Sequence, residues 1–149
     1  MQQDLRIIEG ALAVDDRGSV SFVNGFDFSG VKRFYKVENF STQTIRAFHG
    51  HLKEGKYVYL ASGSAIVAAV PFNDPKTPDK NVSVKRFVLS AKKPSILFIP
   101  PGYANGFKPL EENTTLMFFS TSSLEESKND DFRFDANYWG EEVWQIVNR

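Results

Sequence analysis

The stretch Arg46-Ala47-Phe48-His49-Gly50-His51 contains both histidines of the chain and decides how the rest of the sequence is interpreted. It is typical of a β-strand, and side chains at positions i and i+2 of a strand point to the same side. His49 and His51 therefore share one face. Two imidazoles on one face are half of a metal site, an acid–base pair or, in the simplest interpretation, surface histidines at a sheet rim.

Short runs of β-branched and aromatic residues on both sides of this stretch predict a protein made of strands. The predicted strands are residues 19–23, 31–37, 44–48, 57–61, 65–70, 83–89, 96–99 and 115–120. Segments rich in glycine, proline and asparagine separate them as turns. Residues 123–130 and 140–148 alone have a helical pattern. We expect an all-β sandwich or barrel with a short helical C-terminal tail.

The composition limits the class of protein. A length of 149 residues suits one domain spanning 1–149. Lysine plus arginine and aspartate plus glutamate number 18 each, so the net charge is zero, which argues against nucleic acid as a partner. The chain has no cysteine, which excludes disulfides and thiolate chemistry.

The sequence also argues against a membrane partner. No apolar run approaches the roughly 18 residues that a membrane helix needs. The segment Met1-Gln2-Gln3-Asp4 lacks the basic and apolar regions of a signal peptide, so we expect no signal peptide and a cytoplasmic location.

Two further motifs extend the interpretation of the histidine pair. His49-Gly50-His51, Gly63 and Pro100-Pro101-Gly102-Tyr103-Ala104-Asn105 resemble, in order and spacing, the ligand motifs of metal-binding cupin barrels. The carboxylate ligand of that pattern is Lys56 here, and its last histidine is Asn105. A protonated lysine donates no lone pair and repels a cation. The resemblance therefore implies a cupin-type jelly-roll β-barrel in which we expect no metal.

Without a metal, the remaining groups suit proton transfer. Imidazole, with a reference pKa of about 6.5, takes and returns protons near neutrality, which makes His49 and His51 candidate catalytic residues. Lys56 can stabilise an oxyanion that develops beside it. Arg46 can hold a phosphate or hydroxyl through its planar guanidinium. This set fits proton abstraction next to a carbonyl, with the enolate held by cations.

A family resemblance supports the same chemistry. Five motifs, in order, resemble those of nucleotide-sugar epimerases and isomerases on the cupin barrel, the dTDP-4-dehydrorhamnose 3,5-epimerases above all. They are Asp16-Arg17-Gly18, residues 38–49, Glu54-Gly55-Lys56, residues 98–107 and residues 130–135. The resemblance implies an isomerase that epimerises C3, C5 or both of a nucleoside-diphosphate 4-keto-6-deoxyhexose, in deoxysugar, O-antigen or capsule precursor biosynthesis.

The resemblance also implies roles for single residues. His49 would be the base, Lys56 would stabilise the enolate, Arg46 would bind substrate, and Arg17 would reach the nucleotide diphosphate, in the neighbouring subunit if strands are exchanged. The further substrate contacts that we predict are Asn39, Asn105, Tyr59 and Tyr103. The ketone itself acidifies the adjacent C–H, so no cofactor is expected. A homodimer is expected because family members exchange N-terminal strands.

One departure from the family leaves the proton donor open. The position of the family's catalytic tyrosine is Phe118 here, which cannot donate a proton. Tyr59, Tyr103 and Tyr35 are candidate replacements. Asn105 replaces a second family histidine and can form hydrogen bonds without titrating.

Two alternatives therefore remain. The 3,4-ketoisomerases of the same superfamily carry two histidines placed as His49 and His51 are here, and they act on the same substrate class. A non-catalytic sugar-nucleotide-binding cupin would also have lost the tyrosine.

Overall fold

Antiparallel strands make up most of the structure, a computed structural model that describes residues 4–149. In chain order the strands are β1 (Arg6–Glu9), β2 (Ala11–Asp15), β3 (Gly18–Phe22), β4 (Arg33–Glu38), β5 (Arg46–His51), β6 (Lys56–Ser62), β7 (Ser64–Pro71), β8 (Lys85–Ser90), β9 (Ser95–Ile99), β10 (Tyr103–Pro109), β11 (Thr115–Ser120) and β12 (Phe132–Arg133). Helix α1 (Leu124–Lys128) precedes β12, and a 3-10 turn (Glu141–Trp144) follows it. Residues 1–3, from which we predicted that no signal peptide is present, lie outside the described residues.

Most of these strands belong to two five-stranded sheets. Sheet I has the strand order β1-β9-β6-β11-β4, and sheet II has the order β12-β5-β10-β7-β8. Strands β2 and β3 form a separate hairpin. Each sheet is antiparallel, and no strand of one sheet is paired with a strand of the other among the described residues. This arrangement confirms the predicted all-β class and agrees with a cupin-type jelly roll whose barrel is not closed.

Apolar side chains from both sheets fill the space between them. Val58 and Leu60 of β6 alternate with outward-facing tyrosines and join Val67 of β7 and Leu97 of β9 in one buried cluster. Completely burying a valine or leucine side chain contributes about 1.5–3 kcal/mol. Gly63, with φ of 73°, makes the sharp turn from β6 in sheet I to β7 in sheet II.

The C-terminal tail covers the outer face of sheet II. Trp139, Val143 and Trp144 pack against Phe48 and other residues of β5 and β7. The expected helix over residues 140–148 is only the 3-10 turn, because the backbone becomes extended at Gln145 (φ −90°, ψ 145°). The side chain of Arg86 donates hydrogen bonds to the carbonyls of Val143 and Gln145 at this end of the turn.

The predicted helix near residue 123 is confirmed as α1. Ser123 and Glu126 form a capping box, in which the Ser123 hydroxyl accepts from the Glu126 N–H and the Glu126 carboxylate accepts from the Ser123 N–H. No helix among residues 4–149 is long and apolar enough to cross a membrane.

The predicted strands overlap β3 to β9 and β11, but the sequence patterns did not predict β1, β2, β10 or β12. Strand β10 contains Asn105, Gly106 and Pro109, which disfavour strands. It forms nevertheless because its backbone is paired on both sides, with β5 and β7.

Candidate functional site

A cavity of about 200 Å³ lies between the two sheets. Side chains and backbone from both sheets line it: Tyr35, Val37, Arg46, His49, Lys56, Asn105, Gly106, Phe107 and Phe118. Arg46 is the exposed member of this set, so the cavity opens beside Arg46. The structure thus brings together four of the residues predicted to form the site, His49, Lys56, Arg46 and Asn105.

His49 is the histidine that faces the cavity. Phe48 and Gly50, its neighbours on β5, face the opposite side under the C-terminal aromatic residues. Burial, and then the positive charge of Lys56, lower the pKa of His49 below its ordinary value. At neutral pH the imidazole is therefore uncharged and carries a free lone pair, the form that can act as a base.

His51 points inward as predicted but does not line the cavity. Its side chain is buried, with Nδ1 2.6 Å from the backbone oxygen of Asp130 and 3.1 Å from a carboxylate oxygen of Glu54. Because a carbonyl oxygen only accepts, Nδ1 carries the proton and Nε2 carries the lone pair. Nε2 is buried and has no hydrogen-bond partner among the described residues. Burial lowers the pKa of His51 as well.

Lys56 begins β6 and is 8% exposed. No carboxylate in residues 4–149 lies within ion-pair distance of its ammonium group, which sits 5.9 Å from the ring centre of Phe118. Burial lowers the pKa of Lys56, while the negative charge of Glu54 opposes that shift. A buried cation without a counter-ion is costly, so an anion that forms beside it in the cavity is strongly stabilised.

The carboxylate nearest to these groups along the chain, Glu54, is occupied elsewhere. It is 2% exposed and accepts from Arg33 at 3.1 Å, from Ser127 at 3.0 Å and from the Ser120 hydroxyl. These bonds join β4, β11 and α1 at the end of the inter-sheet space that lies beyond Lys56. Glu54 therefore anchors the inner end of the site without lining the cavity.

Asp130 fixes the loop between β5 and β6. Its carboxylate accepts hydrogen bonds from the backbone N–H groups of Leu52, Lys53 and Glu54 at 2.8, 2.9 and 3.0 Å. Since this loop joins β5, which carries His49, to β6, which carries Lys56, Asp130 helps to set the positions of both. The sequence placed Asp130 in a family motif but did not indicate this role.

Tyr35 is the tyrosine that reaches the cavity. It lies on β4 directly opposite Phe118 on β11, and the two rings stack with centres 5.1 Å apart. Burial, and then the charge of Glu54, raise the pKa of Tyr35 to about 12. The hydroxyl is therefore protonated at neutral pH and can donate a proton or a hydrogen bond.

The other two candidate tyrosines lie elsewhere. Tyr59 alternates with the inward-facing Val58 and Leu60 on β6, so it faces the outer side of sheet I. Tyr103 is inward-facing on β10 and packs against the apolar cluster without lining the cavity. Of the three candidates, only Tyr35 contributes to the lining.

Arg46 at the mouth is oriented by Asn39. Its Nε donates to the Asn39 side-chain oxygen at 2.6 Å, and the amide of Asn39 donates to the carbonyl of Thr44 at 3.1 Å. Because Nε is the one guanidinium nitrogen of Arg46 that is hydrogen-bonded within the described part of the chain, the two terminal nitrogens can bind an anionic group. Inside the cavity, the Asn105 amide donates to the backbone oxygen of His49 at 3.3 Å.

Arg17 does not reach the cavity of its own chain. It lies at the turn of the β2–β3 hairpin, where its side chain is 86% exposed and pairs with Asp15. Among residues 4–149 no group of three or more histidine, aspartate or glutamate side chains is placed to hold a metal ion.

The profile of the family described as dTDP-4-dehydrorhamnose 3,5-epimerase matches residues 3–142 of the chain. No curated protein sequence matches the chain significantly.

Solved structures share the fold. The dTDP-4-dehydrorhamnose 3,5-epimerase from Bacillus anthracis, with TDP and PPi bound, is 22% identical, has a TM-score of 0.76, and the match covers 97% of this chain and 87% of that one. The rmlC epimerase from Mycobacterium tuberculosis is 18% identical, with a TM-score of 0.75 and coverage of 97% and 80%. The sugar 3,4-ketoisomerase QdtA from Thermoanaerobacterium thermosaccharolyticum, in complex with TDP, is 19% identical, with a TM-score of 0.66 and coverage of 93% and 94%.

Proposed function

Since the chain belongs to the dTDP-4-dehydrorhamnose 3,5-epimerase family, we propose that it epimerises C3, C5 or both of a nucleoside-diphosphate 4-keto-6-deoxyhexose without a cofactor. Family membership also confirms the predicted reaction class, an isomerase. The observation that supports the specific reaction is the placement in one cavity of an uncharged His49 and of a Lys56 that has no ion-pair partner among residues 4–149. The product would feed deoxysugar, O-antigen or capsule precursor synthesis in the cytoplasm.

The first step is removal of a proton from the carbon beside the ketone. His49 takes this proton with its imidazole lone pair, and the C–H electrons form the enolate. The enolate oxygen carries the negative charge and lies against the ammonium of Lys56, which has no other counter-ion in the described part of the chain. Oxyanion stabilisation by a preorganised donor is typically worth about 10²- to 10³-fold in rate.

The second step is protonation of the enolate carbon from the other side. We assign this proton to the hydroxyl of Tyr35, which lines the cavity beside Phe118. A tyrosine whose pKa is about 12 holds its proton at neutral pH and, after donating it, is readily reprotonated by solvent. His49 alone performs the abstraction in this mechanism, because His51 lies behind the cavity lining.

A 3,4-ketoisomerase is the second candidate. The ketoisomerase QdtA matches this chain over 94% of its own length, whereas the match covers 80% and 87% of the two epimerases. Moving the carbonyl from C4 to C3 through an enediol shifts one proton from C3 to C4 and a second from the C3 hydroxyl to the C4 oxygen. His49 can carry the carbon-bound proton, and Tyr35 can protonate the C4 oxygen and then take the proton of the C3 hydroxyl.

We also propose that the protein is a homodimer held together through the β2–β3 hairpin. The hairpin pairs with neither five-stranded sheet, and Leu12, Val14 and Val20 on it are 41%, 71% and 64% exposed. Exposed apolar surface of this kind favours a protein interface. Packing of the hairpin on a second copy would bring Arg17 towards the partner's cavity, where its guanidinium can bind phosphate.

Deuterium uptake tests the proposal. The protein is incubated in deuterated water with dTDP-4-keto-6-deoxyglucose, and the sugar is followed by NMR. Deuterium at C3 or C5 with the ketone still at C4 identifies an epimerase, and a ketone at C3 identifies a ketoisomerase. Binding without any uptake would leave the non-catalytic interpretation. His49→Asn should abolish uptake, and His51→Asn is its matched control within the same strand.

A further inference from the structure

The chain contains two Asn-Gly pairs, Asn24-Gly25 and Asn105-Gly106, and the fold places them in opposite environments. An asparagine that precedes glycine is prone to deamidation, because glycine has no Cβ to hinder attack of its backbone nitrogen on the asparagine side chain. We propose that Asn24 is a site of spontaneous deamidation in the folded protein and that the fold protects Asn105 from the same reaction.

The reaction consumes one water molecule and needs no other reactant. Hydroxide removes the proton from the backbone nitrogen of Gly25, which attacks the side-chain carbonyl carbon of Asn24 and closes a five-membered succinimide ring. The bond from that carbon to the amide nitrogen breaks, and ammonia leaves with a proton from water, which regenerates the hydroxide. Addition of water to either ring carbonyl then gives an aspartyl or an isoaspartyl residue at position 24.

The turn at Asn24 leaves the reacting atoms accessible. Asn24 and Gly25 are both exposed, and they are the central residues of a turn closed by the hydrogen bond from the Phe26 N–H to the Val23 carbonyl, 3.2 Å long. Within the described part of the chain, neither the Asn24 side chain nor the Gly25 N–H has a hydrogen-bond partner. One long bond therefore restrains the turn, and the nitrogen of Gly25 is open to hydroxide.

The second pair has the same chemistry without this freedom. Asn105 is 6% exposed, and its amide donates to the His49 carbonyl at 3.3 Å. Gly106 is paired with Ala68 of β7, and a Cβ at Gly106 would collide with Ala47 of β5. The backbone here cannot turn its nitrogen towards the Asn105 side chain unless the strands separate, so the ring cannot close in the folded protein.

Protection matters at Asn105 because this residue lines the cavity together with His49 and Lys56. Deamidation there would place a carboxylate beside Lys56, which has no ion-pair partner among residues 4–149. The new negative charge would neutralise the field that favours an anion in the cavity.

Conversion at Asn24 acts away from the cavity, whose lining does not include this position. It adds one negative charge to a chain whose formal net charge is zero. The isoaspartyl form also adds one atom to the backbone between β3 and Phe26, whose ring packs against Tyr57 and Phe119 on the outer side of sheet I. The modification therefore changes the surface charge and the connection to the β2–β3 hairpin.

Ageing of the full chain at mildly alkaline pH, followed by peptide mapping with mass spectrometry, tests the proposal. In the folded protein we expect the Asn24 peptide to gain the mass of an amide-to-acid conversion and the Asn105 peptide to stay unchanged. Isoelectric focusing should show a more acidic form in the same proportion. In guanidinium chloride, where the turn and the strands are both lost, both peptides should convert.

Gly25→Ala is the matched variant. Its Cβ would lie 3.4 Å from a methyl carbon of Ile8, an ordinary van der Waals contact, and the φ of Gly25 is not positive, so the turn accommodates alanine. Most of the conversion at Asn24 should be lost in this variant. Asn24→Gln, in which the corresponding ring has six members, should lose the acidic form as well.

The two parts of the proposal can fail separately. An Asn24 peptide that stays unchanged in the folded wild type, or an acidic form that persists in Asn24→Gln, would overturn the modification site. Conversion of the Asn105 peptide in the folded protein, or its absence in guanidinium chloride, would overturn protection by the fold. None of these outcomes depends on the reaction that the cavity performs.

Discussion

Tyr35 on β4 and Phe118 on β11 are paired in register across neighbouring strands, and their rings stack with an angle of 8° between the planes. The resemblance to the epimerase family assigns the family's tyrosine to the position of Phe118. Tyr35 supplies a phenol hydroxyl in the same wall of the cavity, on the neighbouring strand.

Tyr35→Phe tests the proton donor. We expect product formation to fall about 10²-fold or more, the usual effect of removing a general acid. Deuterium uptake by the carbon that His49 deprotonates should continue, because the base and the oxyanion site are intact. NMR in deuterated water measures both rates in one sample.

The control for this variant is Tyr59→Phe, on the outer side of sheet I, which should behave as the wild type. A Tyr35→Phe protein that forms product at the wild-type rate would rule Tyr35 out as the acid.

The pH profile should report His49 and Lys56. His49 is active when neutral and its pKa is lowered, so activity should persist below pH 6.5 and fall only as the imidazole takes up a proton. Lys56 is active when charged and its pKa is lowered, so activity should decline before pH 10.5 as the ammonium loses its proton. Measurement of kcat/KM against pH should thus give a bell shape.

Lys56→Met provides the internal check on this assignment. Besides a loss of about 10²-fold in kcat, the low-pH limb should move to higher pH, because the charge of Lys56 contributes to lowering the pKa of His49. A limb that stays in place would mean that another group controls it.

Glu54→Gln tests the buried polar cluster at the inner end of the site. The substitution leaves Arg33 without its charged partner. Removing one partner of a fully buried ion pair lowers the free energy of unfolding by about 3–5 kcal/mol. We expect a smaller loss here because the side chain of Arg33 is 24% exposed. Urea unfolding should therefore show a clearly lower midpoint. The comparison variant is Glu126→Gln in the surface pair with Lys32, where we expect only a small change. Equal stability of the two variants would contradict the structural role of Glu54.

The proposed dimer can be tested through the hairpin. Val14→Asp places a charge on its exposed apolar surface and should convert a dimer to a monomer in sedimentation velocity. Arg17→Ala should leave the dimer intact and raise KM for the nucleotide sugar. A wild-type protein that sediments as a monomer would refute the dimer and, with it, the role of Arg17 across the interface.

The sequence by itself determined the class of fold and the central part of the site. Alternation with a period of two placed His49 and His51 on one face, and both do point inward. The resemblance of Gly63 and the proline-rich turn to cupin ligand motifs predicted that Lys56 and Asn105 belong to the same site as His49, and all three line the cavity. The shared face of the histidines depends on local periodicity, which a sequence shows directly, and the other two positions depend on the resemblance of motifs.

The tertiary structure alone decided which of the similar residues reaches the cavity. Contacts with Asp130 and Glu54 hold the His51 ring away from the cavity. Tyr35, rather than Tyr59, reaches the cavity because β4 pairs with β11 in a register that places Tyr35 opposite Phe118. These contacts join segments about 80 residues apart in the case of His51 and Asp130. Strand pairing and burial over such distances are set by the packing of whole sheets, which local patterns do not encode.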